Sequence, residues 1–460
     1  MDSAVLDRRT RMHEECVPPD LVDRLLALGH ADLVRALALA EDGDWFCARA
    51  WARLLAGRGL LEEALAVLAP YVGAGWWTAA GEAARLLDAE GRGGEAIALV
   101  RPFARDGERL ALRDLALLLA RHGQDEEAYE LLLPHIADWF LAEPLVEVGV
   151  GLGRGEEVEA LLEARLASGI PCAECGSREC GERYRKPFNA VHLLASVRER
   201  QGRTDEAVAV LRDHGSTPVN NRDPLAELLV RHGRIDELRA YAAGEDGDRD
   251  GDGDGDGLQA VRHLAEFLEA RGDVAGAVEA YREHAAGDRW HAPSLLAELL
   301  ARHGRGAEAI EVVRALDSAD DCTLNLLCGL FAAEGRAEEG LAHLDALKAR
   351  RGKEEWELFR LRGPLLAACG RLDEAVREAL AHPEGRNPYA VESLADLLAG
   401  AGRPEEAVAL LEEDRLEHQR DLGALLVELG RAEEAVALLR TPRPAVPLPE
   451  PVGYSDCPPF

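Results

Sequence analysis

Ser393–Glu412, SLADLLAGAGRPEEAVALLE, decides how the rest of the chain is read. Leu394, Leu397 and Leu398 fall at i, i+3 and i+4, which puts them on one face of a helix. Gly402 stops that helix, because glycine enters the left-handed region at little steric cost. Glu405 and Glu406 open a second helix, where carboxylates complement the positive end of the dipole, and Ala407 stands five residues after the glycine. The pattern recurs around Gly29, Gly59, Gly91, Gly123, Gly153, Gly202, Gly233, Gly272, Gly304, Gly335, Gly370, Gly402 and Gly430. Steps are mostly 28 to 32 residues, with longer ones at 153–202 (49), 233–272 (39) and 335–370 (35). A fixed period in this range means stacked units, so an all-α solenoid of antiparallel helical hairpins is expected.

Two further registers support the alignment. Five residues after the glycine stand Ala64, Ala96, Ala128, Ala207, Ala277, Ala309, Gly340, Ala375, Ala407 and Ala435, with Val158 and Leu238 as the larger substitutes. A side chain kept this small predicts a close helix crossing. Fourteen residues before the glycine stand Trp45, Trp77, Trp139, Phe188, Trp290 and Trp356. Five of seven tryptophans in one slot read as wedges opening the first helix, rather than as a ligand pocket.

With Leu-Ala at eight and seven before the glycine (Leu115-Ala116, Leu194-Ala195, Leu225-Ala226, Leu264-Ala265, Leu296-Ala297, Leu394-Ala395), the acidic pair and the small residue, the array resembles the tetratricopeptide repeat over roughly residues 20–440. The resemblance implies a right-handed solenoid that holds peptides or protein surfaces in a concave groove. The units are shorter than that family's 34 residues. Pro70, Pro102 and Pro134 also come earlier than its terminal proline, so truncated second helices are expected.

The chain has 460 residues, 5% of them aromatic, and a net charge of −32. A solenoid grows by neighbour contacts, so this length needs no second core. The charge repels nucleic-acid phosphates, which sets aside the helical-hairpin families that read RNA. No apolar run approaches ~18 residues, so no membrane span is expected. The start, MDSAVLDRRTRMHEEC, lacks an apolar core for export, and a cytoplasmic location is the expectation. Nine cysteines spread over the units do not read as a disulfide framework.

Residues 1–19 read as a loose leader, 20–40 as an N-terminal cap, and 441–460 as a proline-rich extended tail. About twelve full hairpins and that cap fill 20–440, with insertions at 169–187 and 244–257. In the first insertion Cys172, Cys175 and Cys180 have spacing that can grip zinc, with His192 as the fourth ligand and Glu179 or Glu182 behind it. A structural zinc there would staple the insertion; the other reading is a loop of free thiols. The second, with Asp246, Asp248, Asp250 and Gly251, starts like a calcium loop, but Gly257 occupies the place of the bidentate acid. It reads as a flexible acidic linker. His122, His232 and His303, in RHG triplets before the glycine, read as helix caps. No phosphate-cradling loop or nucleophilic triad stands out.

If the first helix of each hairpin lines the groove, the partner-facing residues are Arg49, Arg53, Arg85 and Arg113, then Glu143, Glu147, Asp223, Glu227, Arg262, Glu266, Glu298, Glu392 and Asp396. A basic entrance would give way to an acidic run suited to a protein or peptide with a basic extended segment. The expected function is a non-enzymatic scaffold or adaptor. The alternative is a regulatory sensor on the same solenoid, responding to a peptide or a metal.

Overall fold

Every one of the thirteen anchoring glycines has a positive φ, from 65° at Gly233 to 90° at Gly29. At Gly402 the geometry is a Schellman turn. The Arg403 N–H donates to the Leu398 carbonyl at 2.9 Å and the Gly402 N–H to that of Ala399 at 3.0 Å. A β-carbon at Gly402 would meet no neighbour, so backbone conformation alone selects glycine there.

The computed structural model describes residues 2–168, 188–213, 223–243, 256–285, 291–316, 321–351 and 356–442. Within them are 27 α-helices and no strand. The first eleven are α1 (Ser3–Met12), α2 (Pro19–Ala27), α3 (Ala31–Ala38), α4 (Trp45–Ala56), α5 (Leu61–Gly73), α6 (Trp77–Ala89), α7 (Gly93–Arg105), α8 (Arg109–Arg121), α9 (Asp125–Leu132), α10 (Trp139–Gly151) and α11 (Gly155–Ser168). From α2 onward they pair as hairpins around the glycines, and the pattern continues to Gln419–Glu428 and Ala432–Leu439. The tryptophan slot is the opening residue of a helix at Trp45, Trp77, Trp139 and Trp356.

The small-residue register is the seam. Ala64, Ala96, Ala128, Ala207, Ala277, Ala309, Ala407 and Ala435 are all fully buried, as are Val158 and Leu238. At Gly340 a β-carbon would stand 3.0 Å from both Leu365 methyls and 3.2 Å from Phe331 Cβ, so the helices there meet with no room for a side chain. The Leu-Ala pairs close the other side: Leu225, Ala226, Leu296 and Ala297 are buried.

Cα proximity divides the chain into two units, Met1–Ala96 with Leu380–Phe460, and Ile97–Ala379. In the first unit the two ends of the chain pack together. Arg24 donates to both oxygens of Glu428 at 2.5 and 2.6 Å, Arg420 to Asp20 at 3.2 Å and Arg440 to Asp42 at 2.8 Å. In the second unit the described helices follow one another as hairpins in chain order.

Three expectations need correction. The leader is not loose: α1 is helical, capped by Asp2, and its Asp7 accepts from Trp76 Nε1 at 3.1 Å. Leu6, Cys16 and Val17 are buried, and the Val17 N–H donates to buried Asp44 at 2.7 Å. Nor do Pro70 and Pro102 truncate their helices; both lie inside α5 and α7. Each proline and the residue four before it, Ala66 or Ala98, are exposed, so the carbonyl that loses its partner faces water. Finally, the linker expected at 244–257 ends early, since a helix begins at Asp256.

Candidate functional site

Charge on the second helices is internally matched. Arginine directly follows the glycine in nine hairpins and grips the glutamate three residues on: Arg92–Glu95, Arg154–Glu157, Arg203–Glu206, Arg234–Glu237, Arg305–Glu308, Arg336–Glu339, Arg371–Glu374, Arg403–Glu406 and Arg431–Glu434. Most are two-pronged, as at Arg305, where Nε and Nη2 each lie 2.8 Å from Glu308. Glutamates in this slot also receive an arginine from the preceding hairpin: Arg212 to Glu237 at 3.1 Å, Arg314 to Glu339 at 3.1 Å and, where Gln124 replaces the post-glycine arginine, Arg101 to Glu127. Hydrogen bonds from Arg336 and Arg314 hold the Glu339 carboxyl down at about 2. The second acid was legible from the dipole argument, but its arginine partner was not recognised, although the G-R-x-x-E spacing was in view.

The RHG histidines do more than end helices. His232 Nε2 lies 2.9 Å from Glu199, which also takes Arg231 at 3.0 and 2.8 Å, and His303 Nε2 lies 2.8 Å from Glu269 beside Arg302. These two triplets tie their hairpins to the preceding ones.

The expected groove residues fall into different roles. In the first unit, Arg53 donates to Glu82 through Nε at 2.5 Å and Nη2 at 2.8 Å, and Arg85 Nη2 adds a bond at 2.9 Å. Glu82 is only 2% exposed; burial pushes its carboxyl up, but these two guanidiniums outweigh that and leave it below the ordinary value. Arg49 is half-buried, 5.5 Å over the Phe46 ring. Glu392 pairs with buried His418 at 3.2 Å. Asp396 is exposed, and partial desolvation together with the nearby Asp421 raises its carboxyl.

In the second unit, Arg113 lies 5.0 Å over the Phe140 ring, as does Arg109. Glu143, Glu147, Glu266 and Glu298 are exposed, Glu227 half-buried. Glu266 takes Arg262 at 3.0 Å and Glu227 lies 3.8 Å from Arg231. Asp223 is a correction: it is 0% exposed, caps the helix Pro224–Arg231 by accepting from Leu225 and Ala226 N–H at 3.1 Å, and accepts from the Tyr241 hydroxyl at 2.9 Å. A short carboxylate before a proline-started helix is a cap, and that reading takes precedence over the groove register.

Cys172, Cys175 and Cys180 lie outside the described residues, as do residues 244–255 of the acidic linker; His192 is described, on the helix Phe188–Arg200. Among the described residues no group of three or more metal-ligating side chains occurs, and no helix is long and apolar enough to cross a membrane.

No family model matches the sequence, and no curated protein matches it. Solved structures that resemble it include a Naa15/Naa10 complex bound to HypK-THB, at 15% identity and TM-score 0.37, covering 85% of this chain and 69% of that one. The pentatricopeptide repeat protein PPR10 from maize is 18% identical, TM-score 0.32, over 90% of this chain and 60% of its own. A tetratricopeptide repeat protein from Parabacteroides merdae is 13% identical, TM-score 0.29, over 69% of this chain and 100% of its own. Glycine-capped antiparallel hairpins joined through a small-residue seam make this chain an all-α helical-repeat protein, similar in its repeat to the tetratricopeptide pattern.

Proposed function

We propose that this protein is a non-enzymatic scaffold that binds a protein partner through a basic, extended segment. The observation that carries the reading is a column of carboxylates on the first helices of the second unit. Glu147, Glu227, Glu266 and Glu298 all stand six residues before their capping glycine, and Glu143 lies one helical turn before Glu147. Glu143, Glu147 and Glu298 have no hydrogen bond or ion pair among the described residues, whereas the second-helix glutamate four after the capping glycine is clasped by an arginine in nine hairpins. Glu227, Glu266 and Glu298 fall on three successive hairpins, so an extended segment crossing their first helices would meet three carboxylates in turn; the hairpin before them carries Ser196 in this slot.

A net charge of −32 supports a basic protein segment over nucleic acid, and cytoplasmic residence suits nine cysteines not read as a disulfide framework. The test is fluorescence anisotropy with a labelled peptide carrying lysine at every third position. Replacing Glu147, Glu266 and Glu298 together with glutamine should weaken binding about tenfold or more, with a reduced salt slope. Equal affinity for the triple variant rejects this surface.

A further inference from the structure

One cluster on the first helices runs against the charge of the whole chain. Arg49 and Arg53 lie one turn apart on α4, and Arg85 stands on α6. Glu82, three residues before Arg85, is the carboxylate between them, and its two oxygens are taken by Arg53 and Arg85. This fixes the two arginines in place while leaving Arg53 Nη1 and the Nε and Nη1 of Arg85 without a hydrogen-bond partner among the described residues. Arg49 has none either; its guanidinium rests on the Phe46 face. Asp23 is the other charged group near it. Three guanidiniums therefore face two carboxylates, one of them already committed.

Arg49 carries the inference furthest. A guanidinium rests more easily in protein than an ammonium, but it presents five donors in a planar fork and is stable when those donors meet oxygens. Here burial, then the positive charge of Arg53, both lower its proton affinity, and Glu82 and Asp23 only partly compensate. The side chain is thus held, by packing on Phe46, where its charge is disfavoured. An oxyanion placed between it and the open donors of Arg53 and Arg85 would relieve that cost and be gripped from three directions.

We infer that Arg49, Arg53 and Arg85 form an oxyanion site that takes the acidic group of a peptide, either a side-chain carboxylate or a phosphate on a modified residue. Glu82 is its positioning residue, holding two of the three forks. The site is independent of the carboxylate column in the other unit and would stand if that surface failed.

Isothermal titration at low salt, with the full chain, tests it using three probes: a triglutamate peptide, the same-length peptide bearing one phosphoserine, and inorganic phosphate. Saturable binding of one to one stoichiometry is expected for at least one peptide. Stronger binding of triglutamate assigns a carboxylate, and stronger binding of the phosphoserine peptide with competition by inorganic phosphate assigns a phosphate. Arg49→Gln, which keeps the stem over Phe46 and touches no ion pair, should weaken the preferred probe about tenfold or more, while Arg49→Lys should recover part of the loss. Glu130→Gln on α9 in the other unit should leave this binding unchanged. The inference is overturned if no probe binds, or if Arg49→Gln binds the preferred probe as tightly as the parent with an unaltered thermal melt. Should Arg49→Gln melt early, Arg85→Gln gives the same reading by the same criterion.

Discussion

The two helices of each hairpin use their acids differently. On second helices the glutamate at the start is clasped by an arginine one turn back, and in several hairpins by another from the hairpin before. On first helices of the Ile97–Ala379 unit two of the four carboxylates in the column, Glu147 and Glu298, stand open, while Glu227 and Glu266 each face an arginine one turn away on their own helix. A face whose charges are satisfied within the array is part of its architecture; a face whose charges are not is available to something else. The difference separates glutamates that hold hairpins together from those that could hold a partner, where sequence shows only glutamates.

The largest expected effect breaks both faces at once. Ala309→Leu puts three extra carbons into a fully buried seam between helices and should cost about 2 kcal/mol, read as a lowered midpoint in urea. An unchanged midpoint would mean the hairpins do not close on that residue. Next is Glu82→Ala, which strips two arginines of their buried counter-charge. Because Arg53 and Arg85 are more than half exposed, about 1–2 kcal/mol is expected, less than the ~3 of a wholly buried pair.

Acid sharpens the contrast further. The carboxyls of Glu95, Glu206, Glu237, Glu308, Glu339 and Glu374 are held below their ordinary value of 4.5, chiefly by hydrogen bonds from arginine. A folded-state value below the unfolded one gives stability that is present above about 4.5 and lost as pH falls towards the folded values, about 2 for Glu339. The melting temperature should therefore drop between pH 5 and 2, and Glu339→Gln should flatten part of that drop. A melt that stays level over this range would show that the clasped pairs do not form in solution. The smallest effect is on the open face: Glu147→Gln and Glu298→Gln should each change stability by less than about 0.5 kcal/mol, since neither glutamate has a partner among the described residues to lose. A larger loss would move them to the clasped class.

What could be read from the letters follows from how local each cause is. Gly402 needs only its own φ, and Ala309 only its immediate crossing, so both were visible as repeated residues at fixed offsets. Asp223 was misplaced because one offset served for groove and cap alike, and the following Pro224 was the signal that should have decided it. The helical start of the chain was missed because α1 is held by Trp76, and the segment after it by Asp44, both far along the sequence, and not by its own amphipathicity. The pairing of Arg24 with Glu428 joins residues 404 apart in sequence, a contact that no single repeat encodes.

That last contact changes what a terminus means here. Arrays of this kind ordinarily melt inward from whichever end is least protected. With Asp20, Arg24 and Asp42 tied to Arg420, Glu428 and Arg440, clipping one extremity strips its opposite as well. Joining the two through a short linker and reopening the chain at a different inter-hairpin turn should give a permuted protein that still folds.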